Sequence, residues 1–131
     1  MPLFKRKKAE EEPIDLEARS QLSGLKNKDI LLMGQMAQAG ADLNLPRHAL
    51  YYLYLDSRDA AERAAARGTA AGYLANVREP LPEHPDRWSV VCERPDAVLD
   101  IPGVIAADDL FQGIADDLGG EFDGWEASLE P

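Results

Sequence analysis

Cysteine and histidine are almost missing from this chain: Cys92, His48 and His84 are the only three such residues in 131. One cysteine excludes an intramolecular disulfide and a cysteine-based zinc cluster, and it fits a reducing compartment, so a cytoplasmic location is expected. No apolar run approaches the roughly 20 residues that span a bilayer, so no membrane association is expected. The basic start "MPLFKRKK" is followed by "AEEEPIDLE" rather than by an apolar core, which argues against a secretory signal. Basic residues also run out along the chain. Residues 1–78 carry twelve basic and ten acidic side chains, whereas residues 79–131 carry two basic and fourteen acidic, which together give the net charge of −10. Affinity for nucleic acid rests on neutralising phosphates with cations, so nucleic acid is not the expected partner. An acidic half instead favours encounter with a basic protein segment.

The scarcity extends to catalytic groupings. His84 lies in the Pro-rich stretch "PLPEHPDR", and His48 opens a strand-like run. Cys92 alternates with Val90 and Trp88 and reads as a small core residue, with no basic neighbour in sequence to activate its thiol. The carboxylates lack the alternating spacing and closing Glu of a calcium loop. Neither "AQAGADLNLP" nor "DLGGEFDG" has the lysine or strand–helix context of a phosphate loop. No catalytic residue, metal ligand or cofactor is therefore expected, and the chain reads as a non-enzyme.

What is present is a regular succession of elements. Residues 1–13 read as a disordered charged tail and residues 14–131 as one domain. "DLEARSQLSGLKNKDILLMGQMAQAGADL" reads as helical, with Leu25, Leu32, Met36 and Ala39 in one stripe, a break at Gly24 and a stop at Gly40. "HALYYLYL" predicts a central strand over 48–55, apolar on both faces. A small-residue helix follows over 57–71, then a strand over 73–78, the Pro-rich loop and a strand over 88–94. The next helix, 103–118, carries the stripe Ala107, Leu110, Phe111, Ile114 and Leu118, with Asp108, Asp109, Asp116 and Asp117 assigned to a solvated opposite face. "EFDGWEAS" predicts a last strand over 121–127. The fold class is α+β: a ferredoxin-like β-α-β-β-α-β sandwich preceded by an N-terminal helix, with both domain helices on one face of the sheet.

Strict alternation in "EFDGWEAS" puts Phe122, Gly124 and Glu126 on one face and Asp123, Trp125 and Ala127 on the other. Gly124 would bulge the strand or admit a neighbouring aromatic. Trp125 is expected to be at least half buried, and "DGW", meaning Asp123, Gly124 and Trp125, is the alternative docking feature. The four aspartates of the third helix are the other candidate protein-interaction residues.

Several stretches together resemble one known family. "AQAGADLNLPRHALYYLYLDSRDAAERAAARGTAAGYLANV", the tryptophan of "RWSVVCERP" and the closing "GGEFDGWEAS" are similar to the regulator of ribonuclease activity B family, the RraB type of ribonuclease E inhibitor, over roughly residues 33–128. Glu126 stands where members carry a glycine after the tryptophan. The resemblance implies a helix ahead of a ferredoxin-like domain, no enzymatic activity, and inhibition of a ribonuclease in RNA metabolism by protein contact. Two alternatives stand beside this acidic regulator. One is a small-molecule or effector-binding module. The other is an RNA-binding domain that would stack bases on Tyr52, Tyr54 and Trp88.

Overall fold

"RHALYYLYL" builds the strand from which the rest is organised. Every second side chain of β1 (Arg47–Leu55), namely Arg47, Ala49, Tyr51, Leu53 and Leu55, is buried, and the four between them are half-buried. The computed structural model describes residues 14–131; the tail expected over 1–13 lies outside the described residues. In chain order the other elements are α1 (Asn27–Gln38) ahead of β1, then α2 (Arg58–Ala70), β2 (Leu74–Arg78), β3 (Trp88–Ala97), α3 (Ile101–Asp117) and β4 (Glu121–Ala127). The strands form one antiparallel sheet in the order β2-β3-β1-β4. The described residues are thus α+β, with four strands and three helices. β1 is central, as expected, but only one of its faces is fully covered.

β3 runs three residues past its expected end, through Pro95. Arg47 pairs with Ala97 while Ala49 pairs with Arg94, so two residues of β3 oppose one of β1. Pro95 has no N–H to give to a ladder, and it sits in this bulge, where none is asked of it.

The helices follow from their sequences. Ser57 caps α2 by accepting from the Ala60 N–H at 3.1 Å, and Asp100 caps α3 by accepting from the Gly103 N–H at 2.8 Å. The small residues Ala61, Ala64 and Gly68 bring α2 close to the sheet. α3 lays Val104, Ala107, Phe111, Ile114 and Ala115 onto the same covered face, beside α2. There Phe111 stacks on Tyr51, with ring centroids 4.7 Å apart, and meets Tyr73 edge-on at 5.0 Å and Phe122 at 5.6 Å. Burying a side chain such as Phe111 contributes about 1.5–3 kcal/mol.

The long N-terminal helix is corrected by the structure. Helix α1 begins only at Asn27, and residues 15–24 form turns closed by a bridge between Arg19 and Lys26. Short polar side chains there take the backbone donors for themselves. Asp15 accepts from the N–H groups of Glu17 and Ala18, Ser20 from those of Leu22 and Ser23, and Ser23 from that of Leu25. Such local bonds compete with the helical ladder. At its other end α1 stops as expected: Gly40 and Ala41 donate back to Ala37 and Met36, and Gly40 has φ of 94°.

One buried cation closes the molecule. The Arg47 guanidinium donates to the carbonyls of Ser128 at 3.1 Å, Leu129 at 2.5 Å and Asp42. A single side chain thereby ties the residues after β4 to the turn before β1.

Candidate functional site

Gly124 decides which way "EFDGWEA" faces. Its φ of 93° is a backbone conformation that glycine adopts without steric cost. The sheet register shows the result: Tyr51 pairs with Trp125 and Leu53 with Phe122, so Asp123 and Gly124 together oppose Tyr52 alone. The bulge resets the alternation, and Phe122 and Trp125 both point to the helix-covered face. The expected split, with Phe122 and Trp125 on opposite faces, is therefore corrected. Trp125 is 7% exposed, well beyond the expected half-burial. Its Nε1 donates to Asp29 Oδ1 of α1 at 2.9 Å. The acid in the tryptophan pocket is Asp29; Asp123 turns outward to solvent.

Asp29 is one of two buried carboxyls among the described residues. Asp108 is fully buried, so its assignment to a solvated acidic face is also corrected. Four residues after Val104 and three before Phe111, it lies on the buried stripe of α3. Burial, and then the neighbouring Asp29 carboxyl, push the Asp108 carboxyl up to about 8, so that it keeps its proton where a free aspartate has lost it. Asp108 of α3 thus stands beside the Asp29–Trp125 bond that joins α1 to β4. Lys26, also buried, sits beside it with Nζ 3.3 Å from Gln112 Oε1 and 5.4 Å from the Phe122 ring centroid.

The remaining aspartates of α3 are exposed but mostly occupied. Asp109 pairs with Arg19 at 2.9 Å, Asp117 pairs with Arg67 at 2.7 Å, and Asp116 accepts from Gln112 at 2.9 Å. Two of these three carboxylates brace α3 against neighbouring segments.

The negative charge concentrates elsewhere. A cleft of about 520 Å³ opens where the Pro-rich loop meets the end of β1 and the start of β4. Asp56, Glu83, Asp86 and Glu121 line it, against Arg87 and His84. The Arg87 guanidinium lies 4.0 Å from the Tyr54 ring centroid and 3.6 Å from the Glu121 carboxylate. Sequence reasoning read this loop only as a loop. The signal was its charge: Glu79, Glu83 and Asp86 stand within eight residues of one another.

The other expected chemical groups fall into place around these. Cys92 is fully buried and burial raises its thiol to about 11, so it is a core residue. His48 contacts Glu93 on the half-open face, where Tyr52 hydrogen-bonds Glu126; that bond and partial burial raise the Tyr52 hydroxyl to about 12. Trp88 pairs with Leu55 on the covered side, under Arg58, so it is not beside Tyr52 and Tyr54 as the base-stacking reading required. Among the described residues there is no group of three or more His, Cys, Asp or Glu side chains able to hold a metal ion. No described helix is long and apolar enough to cross a membrane.

The family model for "Regulator of ribonuclease activity B" (RraB) matches residues 26–127. The chain belongs to the RraB family. That match starts at Lys26, beside the buried carboxyl of Asp29, and ends at Ala127, the last residue of β4. It therefore takes in α1, the whole sheet and the acidic cleft. RraB proteins, by the family description, regulate ribonuclease activity, which is a protein-directed role. No curated protein matches the chain.

Proposed function

We propose that this RraB-family chain is a non-enzymatic, acidic, cytoplasmic regulator that inhibits a ribonuclease of the ribonuclease E class by binding a basic segment of it. The observation that carries this reading is the cleft lined by Asp56, Glu83, Asp86 and Glu121, four carboxylates around one guanidinium and one imidazole. Arginine and lysine side chains are the complementary occupants, and such charge complementarity raises association rates more than it raises intrinsic affinity. Asp116 and Asp123, both exposed, add to the negative charge of the surface. Gly124 and Trp125 act in packing, through the bulge and the bond to α1. We also assign the domain to the ferredoxin-like sandwich. The support is the strand order β2-β3-β1-β4 with α2 and α3 side by side on one face.

The test is stopped-flow association with ribonuclease E from the same organism, alongside a cleavage assay on a structured RNA. A variant carrying Glu83→Gln, Asp86→Asn and Glu121→Gln should associate about tenfold more slowly at low salt and converge with the parent at high salt. Equal rates for the two proteins would remove the cleft from the interface. Absence of any complex with the parent protein would overturn the ribonuclease reading itself.

A further inference from the structure

A second cleft, of about 430 Å³, lies on the helix side of the sheet, between the end of α2, the end of β3 and the first turns of α3. Its chemistry differs from that of the acidic cleft. Ala71, Ala97, Val98, Ala106 and Leu110 give it apolar walls, and its polar groups are Tyr51, Tyr73, Arg94 and one carboxylate, Asp96. Its size falls within the range of small-molecule sites, and an apolar chamber with a few converging polar groups is the usual form of such a site.

Arg94 is held in place. Its guanidinium carbon lies 4.5 Å from the Tyr73 ring centroid, a cation–π distance. It also lies close to Gly72, where a Cβ would stand only 2.9 Å from Nη2. Gly72 has φ of 95°, so an L side chain is disfavoured there on both counts. The only anion paired with Arg94 among the described residues is Asp96, at 3.7 Å and with its side chain 77% exposed. A contact so long and so solvated is weak and readily exchanged. The charge of Arg94 also reaches the hydroxyls of Tyr51 and Tyr73, which burial keeps protonated as donors.

We propose that this cleft binds a small organic carboxylate, with the carboxylate on Arg94 and the two tyrosine hydroxyls and an aromatic or branched apolar body against the alanine-lined wall. A guanidinium fork matches a carboxylate in a bidentate manner, and the nearby apolar area adds affinity without adding charge. The site is independent of the acidic cleft, since Arg94 and Leu110 take no part in that surface.

Benzoate is a suitable probe, with benzamide as its neutral isostere, in a two-dimensional amide NMR titration of the full chain. Benzoate should give saturable shifts at Ala97, Ala106 and Leu110, and benzamide should bind about tenfold or more weakly. Arg94→Gln should lose benzoate binding by a similar factor while its amide spectrum stays dispersed. Leu110→Trp, which fills the chamber and leaves Arg94 in place, should also lose it. Non-saturating shifts with benzoate, or equal binding of benzoate and benzamide, would overturn the proposal. Undiminished binding by both variants would overturn it as well.

Discussion

The indole N–H of Trp125 donates to the carboxylate of Asp29 at 2.9 Å, ninety-six residues away in sequence and inside the protein. This bond fastens α1 to the last strand. It makes the helix that precedes the sheet part of the same packing unit as the "DGW" turn.

Removing the tryptophan tests that unit. Trp125→Ala should cost about 3–5 kcal/mol in urea unfolding, because the ring is buried and leaves a cavity. Trp125→Phe keeps most of the apolar volume but strands the Asp29 oxygen, and should cost about 1–3 kcal/mol. A Trp125→Ala protein that melts like the parent would contradict the packing described.

Gly124 should tolerate little. An added Cβ would meet only Lys28 Nζ, at an ordinary contact distance of 3.8 Å, but the φ of 93° disfavours a side chain. Gly124→Ala is expected to lose about 1 kcal/mol or more through backbone strain alone, and its midpoint in urea measures this.

The buried carboxyl pair gives a pH dependence of defined direction. Between about pH 4, the value for an unfolded aspartate, and pH 8, the folded chain keeps a proton on Asp108 that the unfolded chain has released. Stability from this group is full below about pH 4 and is lost as the pH rises through about 8. Asp108→Asn keeps a donor toward Asp29 and has nothing to titrate. Its urea midpoint should therefore exceed the parent's increasingly as the pH goes from 5 to 9. Parallel curves for the two proteins would refute a proton held at Asp108.

The exposed aspartates of α3 should behave differently. Asp109→Asn and Asp117→Asn each break a surface pair, and each should move stability by no more than about 0.5 kcal/mol. With Asp116→Asn added, the triple variant measures, in association kinetics with the ribonuclease, what this flank contributes beyond the acidic cleft. Loss of several kcal/mol of stability in any single variant would mean that these pairs brace α3 more firmly than their exposure indicates.

Much of the architecture was legible because its signals are local. The aromatic–aliphatic run of β1, the alanine-rich α2 and the apolar stripe of α3 each announce one element, and their order leads to the sheet. The facing of β4 was not legible, because period-two alternation holds only while the register is unbroken and Gly124 breaks it. Asp108 was misplaced for a different reason. Its helical position matches the buried stripe, but a charged side chain argues for solvent, and a carboxyl is held there because burial, with Asp29 beside it, keeps it protonated. The two clefts could not be read at all. Glu83, Glu121 and Asp56 come from separate parts of the chain, as do Tyr51, Arg94 and Leu110, and only the tertiary fold makes neighbours of them.

The Arg47 clamp has a bearing on how the protein can be handled. Beside the Asp42 carbonyl, its anchors are main-chain carbonyls of Ser128 and Leu129 that no substitution at those positions removes. Cleavage after Leu129 should therefore be harmless, whereas cleavage after Ala127 removes two of the three acceptors and leaves the buried guanidinium with the Asp42 carbonyl alone. The response to proteolysis should change over these two residues like a cliff rather than a slope.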